Sequence, residues 1–195
     1  MSMTAFIGDP FASMSRRDAR SENTASPITG IVLLLRELST VIEGLNDEQY
    51  GLKQEAVFGG AIGGHVRHSL DHVQSIIDAM QTGTLDYDHR LRGTKVESDR
   101  WAARDVIRRL VAQLGGAKYE GLDRELKLRS IVSAEMDTME VTTTLSRELI
   151  YVLSHTVHHN AMIAAMARTL GGWVPQRFGF APSTLAHLKE KPCVR

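Results

Sequence analysis

From Leu145 to Leu170 the chain contains neither glycine nor proline and is rich in Leu, Ile, Met and Ala. Such a run predicts one long helix. It carries Ser154-His155-Thr156-Val157-His158-His159-Asn160-Ala161-Met162. On a helix His155 and His159 stand one turn apart on one face. Two imidazoles so placed can reach one divalent ion, which is why His-x-x-x-His recurs as a helical ligand pair. The same spacing also suits two histidines lining a polar seam between packed helices.

A second cluster, His65, His68 and His72, lies in Gly63-Gly64-His65-Val66-Arg67-His68-Ser69-Leu70-Asp71-His72-Val73. Spacings of three and four put all three on one helical stripe. A metal centre needs a third protein ligand and an open position for water or substrate, and a second helix beside the first can supply that ligand. Asp71 is a candidate for holding an imidazole tautomer. No Glu-x-x-His pair occurs, so the four-glutamate di-iron pattern is absent.

The remaining helices announce themselves by caps and period. Ser26-Pro27 reads as a cap followed by proline at the first helical position. Ile28, Ile31, Val32, Leu34, Leu35, Leu38, Val41 and Ile42 then recur helically up to Gly44. A polar turn, Leu45 to Tyr50, begins a short helical piece. Phe58 to Gly64 is glycine-rich but lacks the lysine and hydroxyl residue of a phosphate loop. These glycines are expected to allow close packing at the start of a helix from about Ile62 to Met80, which Gly83 ends. Asp86, Asp88 and His89 lie in a polar stretch over 84–98 and read as solvated surface rather than ligands. Ser98-Asp99 starts a third long helix, closed by Gly115-Gly116. Between 122 and 144 the pattern becomes β-prone, and a short hairpin with its turn near Asp137-Thr138-Met139 is expected before the last helix.

Residues 1–26 mix polar, Gly and Pro residues without period and read as a flexible arm, with Phe6, Ile7 and Phe11 as docking candidates. Residues 27–172 form the expected body. Residues 173–195 form a tail with a short helix from Ser183 to Leu188.

Basic and acidic residues balance at 23 each. No global field recruits nucleic acid or an anionic membrane, and Arg104, Arg108 and Arg109 fall at the spacing of a solvated helix face. No apolar run reaches the roughly 20 residues of a membrane span. No secretory signal is evident. Cys193 is the single cysteine, which excludes an internal disulfide and fits a reducing cytoplasm.

Four pieces, in this order, resemble the DinB/YfiT-like superfamily of four-helix-bundle metalloenzymes. Leu45 to Tyr50 looks like its acidic turn, and Ile62 to His72 like its second helix with the first ligand histidine. Glu140 to Thr144 is similar to the extended piece before its last helix, and His155 to His159 to that helix's paired ligands. The resemblance implies an all-α, up-down-down-up four-helix bundle over roughly 28–172. It implies a three-histidine site for a divalent metal, zinc or nickel. Carried over, the ligands are His68, His155 and His159. Asp71, three residues on, selects His68, with His65 as runner-up. The family's known chemistry implies a transferase or hydrolase acting on low-molecular-weight thiols, and its habits of association imply a homodimer. Two other readings stay open: a non-catalytic helical binding or stress-associated module, and a homodimer whose histidines form a pH-sensitive polar seam.

Overall fold

The computed structural model describes residues 26–190 apart from 56, 58 and 117–120. The N-terminal arm with Phe6, Ile7 and Phe11, and Cys193, lie outside the described residues.

Helix α1 spans Pro27–Glu43, and the Ser26 hydroxyl accepts from the Ile28 amide at 3.2 Å. Its buried residues are Ile28, Ile31, Leu35, Leu38, Val41 and Ile42, most of the expected stripe. Side chains of this size contribute roughly 1.5–3 kcal/mol each when fully buried. Helix α2, Asp47–Gly51, starts with a capping box in which Asn46 and Gln49 satisfy each other's amides at 2.7 and 2.9 Å. Gln49 also donates to the Leu170 carbonyl at 3.0 Å, tying this turn to the far end of the last long helix.

Helix α3, Ile62–Thr82, ends at Gly83, whose φ of 78° is the left-handed cap that glycine adopts without strain. Its start explains one glycine. A Cβ on Gly63 would lie 2.0 Å from the Glu97 carbonyl oxygen and 2.7 Å from the ring of buried Tyr50. Gly64 faces open space, with nothing within 4 Å of a Cβ there.

Helix α4, Arg100–Gly115, is capped by Asp99, whose carboxylate accepts from the Trp101 and Ala102 amides. Helix α5, Leu145–Thr169, is capped by Thr144. α1 packs on α4 and α5, and α3 packs on the same two helices. A last helix, α6, spans Pro182–Glu190, somewhat longer than the expected Ser183–Leu188. Ahead of it the tail folds back: Phe178 is buried, and Gly179, at φ 82°, approaches the backbone of Ala161.

The expectation of a helical chain with a short hairpin is met in part, because the sheet has one strand more than the hairpin. The chain is mostly helical but carries a three-stranded sheet in the order β1-β2-β3. The hairpin is present as β2, Glu125–Ile131, antiparallel to β3, Thr138–Thr144, with its turn at 132–137, slightly earlier than expected. The unexpected strand is β1, Thr84–Asp86, which pairs parallel with β2. Three residues carry no period, and only Leu85 is buried. β1 exists because the edge of β2 accepts it and because Leu85 and Leu126 are buried in the common core. Among the described residues no helix is long and apolar enough to cross a membrane.

Candidate metal centre

The packing of α3 on α5 brings the two histidine clusters together. His155 Nε2 lies 3.1 Å from His68 Nε2, and His65 Nδ1 lies 3.3 Å from His159 Nδ1. Two nitrogens bound to one tetrahedral zinc at 2.0–2.1 Å stand about 3.3 Å apart, so both pairs have the spacing of a shared ion. His68, His72 and His155 each offer a ring nitrogen, and these atoms all lie within 4.8 Å of one another. His68 and His155 share the middle of the cluster: the His68 ring centroid is 4.5 Å from His72, 5.0 Å from His155 and 4.6 Å from His159, and that of His155 is 4.0 Å from His72 and 4.6 Å from His159.

Of the residues singled out by the resemblance, His68 and His155 therefore face each other directly. His159 is buried beside them, with its Nδ1 turned to His65. His72, on the same stripe of α3, supplies the third nitrogen of the close group. His158 is exposed. Asp71 does not orient an imidazole: its carboxylate accepts from Arg67 at 2.8 Å. The orienting group for His72 is the His68 carbonyl, 3.0 Å from His72 Nδ1. A carbonyl only accepts, so Nδ1 carries the proton and Nε2 keeps its lone pair, the tautomer a ligand needs.

Burial lowers the pKa of all five clustered imidazoles. His68 falls to about 2, His159 to about 3 and His155 to about 4, with neighbouring imidazoles adding to the burial in each and the Arg90 charge in His68 and His155. His65 and His72 are lowered as well, again chiefly by burial. At neutral pH the cluster presents neutral nitrogens, the form that binds a cation.

Residues outside the histidine motifs complete the surroundings. Tyr87 stacks on His72 at 4.8 Å and 12°, and His155 stacks on it at 4.0 Å and 26°. Tyr87 Oη donates to the fully buried Glu148 at 3.1 Å. Glu148 also accepts from Thr143 at 2.8 Å and Arg147 at 2.6 Å. Tyr151 stacks on His155 at 5.6 Å. Arg90 Nη1 lies 2.5 Å from His68 Nδ1. Sequence reasoning missed Tyr87, Arg90, Glu148 and Tyr151. The available signals were Tyr151 and Glu148 on the same helix as His155, one and two turns earlier. Asp86 and Asp88, read as solvated surface, hold the loop: Asp86 accepts from the Asp88 and His89 amides, and Asp88 from Ser130 and the Ile131 amide.

A mostly helical chain with a small sheet, whose two central helices face each other across a group of neutral imidazoles, defines a class of protein equipped to bind a cation between helices. The chain belongs to the DinB family, whose model matches residues 35–181. Its fold is similar to the crystal structure of a DinB-like protein, YjoA, from Bacillus subtilis. That likeness has a TM-score of 0.56 at 18% identity and covers 76% of this chain and 95% of that one. Over 108 residues, 55% of its length, the chain is 37% identical to a Rhizopus delemar protein described as FK506-binding protein 5, of which it spans 28%.

Proposed function

We propose that the protein is a divalent-metal-dependent enzyme of the DinB family, with transferase or hydrolase chemistry on a low-molecular-weight thiol. The observation that carries this reading is the 3.1 Å approach of His68 Nε2 and His155 Nε2 inside the His68, His72 and His155 group. His68 and His155 hold the ion in this proposal. The third imidazole is His72 by proximity or His159 by the family's pattern, the latter after its ring turns from His65. Zinc or nickel suits such a set, because imidazole serves both. When bound, the ion lowers the pKa of a coordinated thiol or water toward neutrality and acts as a Lewis acid. The chain's own residues keep the imidazoles neutral by burial, fix the His72 tautomer through the His68 carbonyl, and wall the site with Tyr87 and Tyr151.

In the same reading α1, α3, α4 and α5 form an up-down-down-up four-helix bundle, which the contacts of α1 and α3 with both α4 and α5 support. The protein is a cytoplasmic homodimer. Leu33 on α1 and Ile150 on α5 are more than half exposed, and these neighbouring helices offer apolar surface for a second copy. A mass near 21.6 kDa by light scattering at micromolar concentration would count against the dimer.

The metal is tested by elemental analysis of protein purified without a histidine tag. One ion per chain is expected, with loss in His68→Ala and His155→Ala. Comparing His72→Ala with His159→Ala identifies the third ligand, as the variant that loses the metal more completely. Wild-type protein that takes up no zinc or nickel would end the enzyme reading. Stoichiometric metal without turnover of any thiol conjugate would favour a binding module.

A further inference from the structure

Two neighbouring guanidinium groups, those of Arg67 and Arg90, are used differently. Arg67 is committed: it pairs with Asp71 at 2.8 Å and with Glu97 at 2.9 Å, and reaches the Leu91 carbonyl at 3.4 Å. Arg90 forms no ion pair with a carboxylate among the described residues. Its Nε is buried without a hydrogen-bond partner, and its Nη1 points at His68 Nδ1. The loop that delivers it is pinned on both sides, by Asp86 to the Asp88 and His89 amides and by Glu97 to the Gly93 amide. A cation with no carboxylate in direct ion-pair contact, Asp71 and Asp88 acting on it only from farther off, is thus held against the His68 imidazole.

The contact with His68 is incompatible with ligation. A guanidinium has donors only, so His68 Nδ1 must accept. A neutral imidazole then carries its proton on Nε2, the atom that faces His155 Nε2. For Nε2 to bind a cation that proton must move to Nδ1, where it would meet the Arg90 N–H. Loading the site therefore frees Arg90, and it leaves two positive groups as neighbours with no carboxylate in direct contact with the guanidinium.

We propose that Arg90 is the site's anion-recognising residue: released from His68 when the metal binds, it takes the carboxylate of the substrate whose thiol the metal holds. The inference rests on the metal reading above and deepens it, since it makes the substrate an acidic thiol rather than a neutral one. Arg90 suits the task because a guanidinium matches a carboxylate with two parallel N–H donors. Its buried, unpartnered Nε is one of the donors that such a group would satisfy.

The test uses the full chain loaded with cobalt(II), whose thiolate absorption reports thiol binding directly. 3-Mercaptopropionate and 2-mercaptoethanol are titrated against wild type, Arg90→Gln and Arg90→Lys, each first shown to keep its helical circular dichroism. Wild type should prefer 3-mercaptopropionate by roughly 10- to 100-fold, the range expected of one charge-assisted contact. Arg90→Gln should lose that preference, and Arg90→Lys should keep part of it. Arg90→Gln should also bind cobalt more tightly, because no guanidinium has to be displaced. Cobalt-loaded wild type without a preference, or an Arg90→Gln variant that retains it, overturns the proposal while leaving the metal reading intact. Wild type that binds no cobalt overturns both.

Discussion

Gly63 and Gly64 are adjacent, both lie in the first turn of α3, and the structure assigns them opposite responses to alanine. A Cβ on Gly63 would meet the Glu97 carbonyl oxygen at 2.0 Å, its carbon at 2.7 Å and Tyr50 Cε1 at 2.7 Å. Reaching ordinary contact requires a displacement of about 1.4 Å, and neither neighbour can give way freely. Glu97 is held through its carboxylate by Arg67 at 2.9 Å and the Gly93 amide at 2.7 Å. Tyr50 is fully buried, and its hydroxyl donates to the Val96 carbonyl at 2.7 Å. Overpacking of this kind costs about 1–3 kcal/mol, and losing the Tyr50 bond adds about 1 kcal/mol. Alanine's better helix propensity returns at most about 1 kcal/mol. Gly63→Ala should therefore destabilise by roughly 1–3 kcal/mol. Gly64→Ala meets nothing within 4 Å and should be neutral or stabilising by up to about 1 kcal/mol. For a chain of this size each kcal/mol shifts Tm by about 2–4 °C, so the two variants, about 1–4 kcal/mol apart, should differ by roughly 2–16 °C. Thermal and urea unfolding of the pair, read by far-ultraviolet circular dichroism, measure this. A Gly63→Ala protein as stable as Gly64→Ala would refute the close approach of α3 to the 95–97 turn.

Two further outcomes follow from the site. The clustered imidazoles have folded-state pKa values below the ordinary value of 6.5, with His155 near 4 and His159 near 3. Unfolded chains thus take up these protons first as pH falls, so metal-free stability is fully present above about pH 6.5 and is lost progressively as pH drops toward about 3. Urea midpoints between pH 7.5 and 4.5 should show the decline, and His155→Asn should flatten it; an unchanged slope would contradict the buried cluster. Glu148→Ala leaves the Tyr87 and Thr143 hydroxyls without their acceptor in a fully buried position and should destabilise by about 2–4 kcal/mol. A loss under about 0.5 kcal/mol in a denaturant titration would show that water replaces the carboxylate.

Much of the helical content and part of the site were legible in the chain. The caps at Ser26 and Asp99 and the stop at Gly83 stand where the residue types put them. The histidines of α3 do face those of α5. Strand β1 was not legible, because Thr84–Asp86 is too short to carry a period and is a strand only through its pairing with β2. Asp71 looked like an imidazole's partner from its spacing, yet Arg67, one turn away, takes its carboxylate.

By itself the sequence determined which residues share one helical face, because a helix repeats every 3.6 residues and caps act within a few positions of its ends. His155 with His159, and His65 with His68 and His72, are groupings of that local kind. The tertiary structure alone decided which imidazole meets which: His68 with His155, and His65 with His159. It also decided that Tyr87 and Arg90, from a loop with no helical period, would reach the same place. Contacts across elements depend on how far packed helices slide and rotate, which is fixed by the interdigitation of whole side-chain surfaces and by a loop pinned elsewhere, and spacing along one chain carries no record of either.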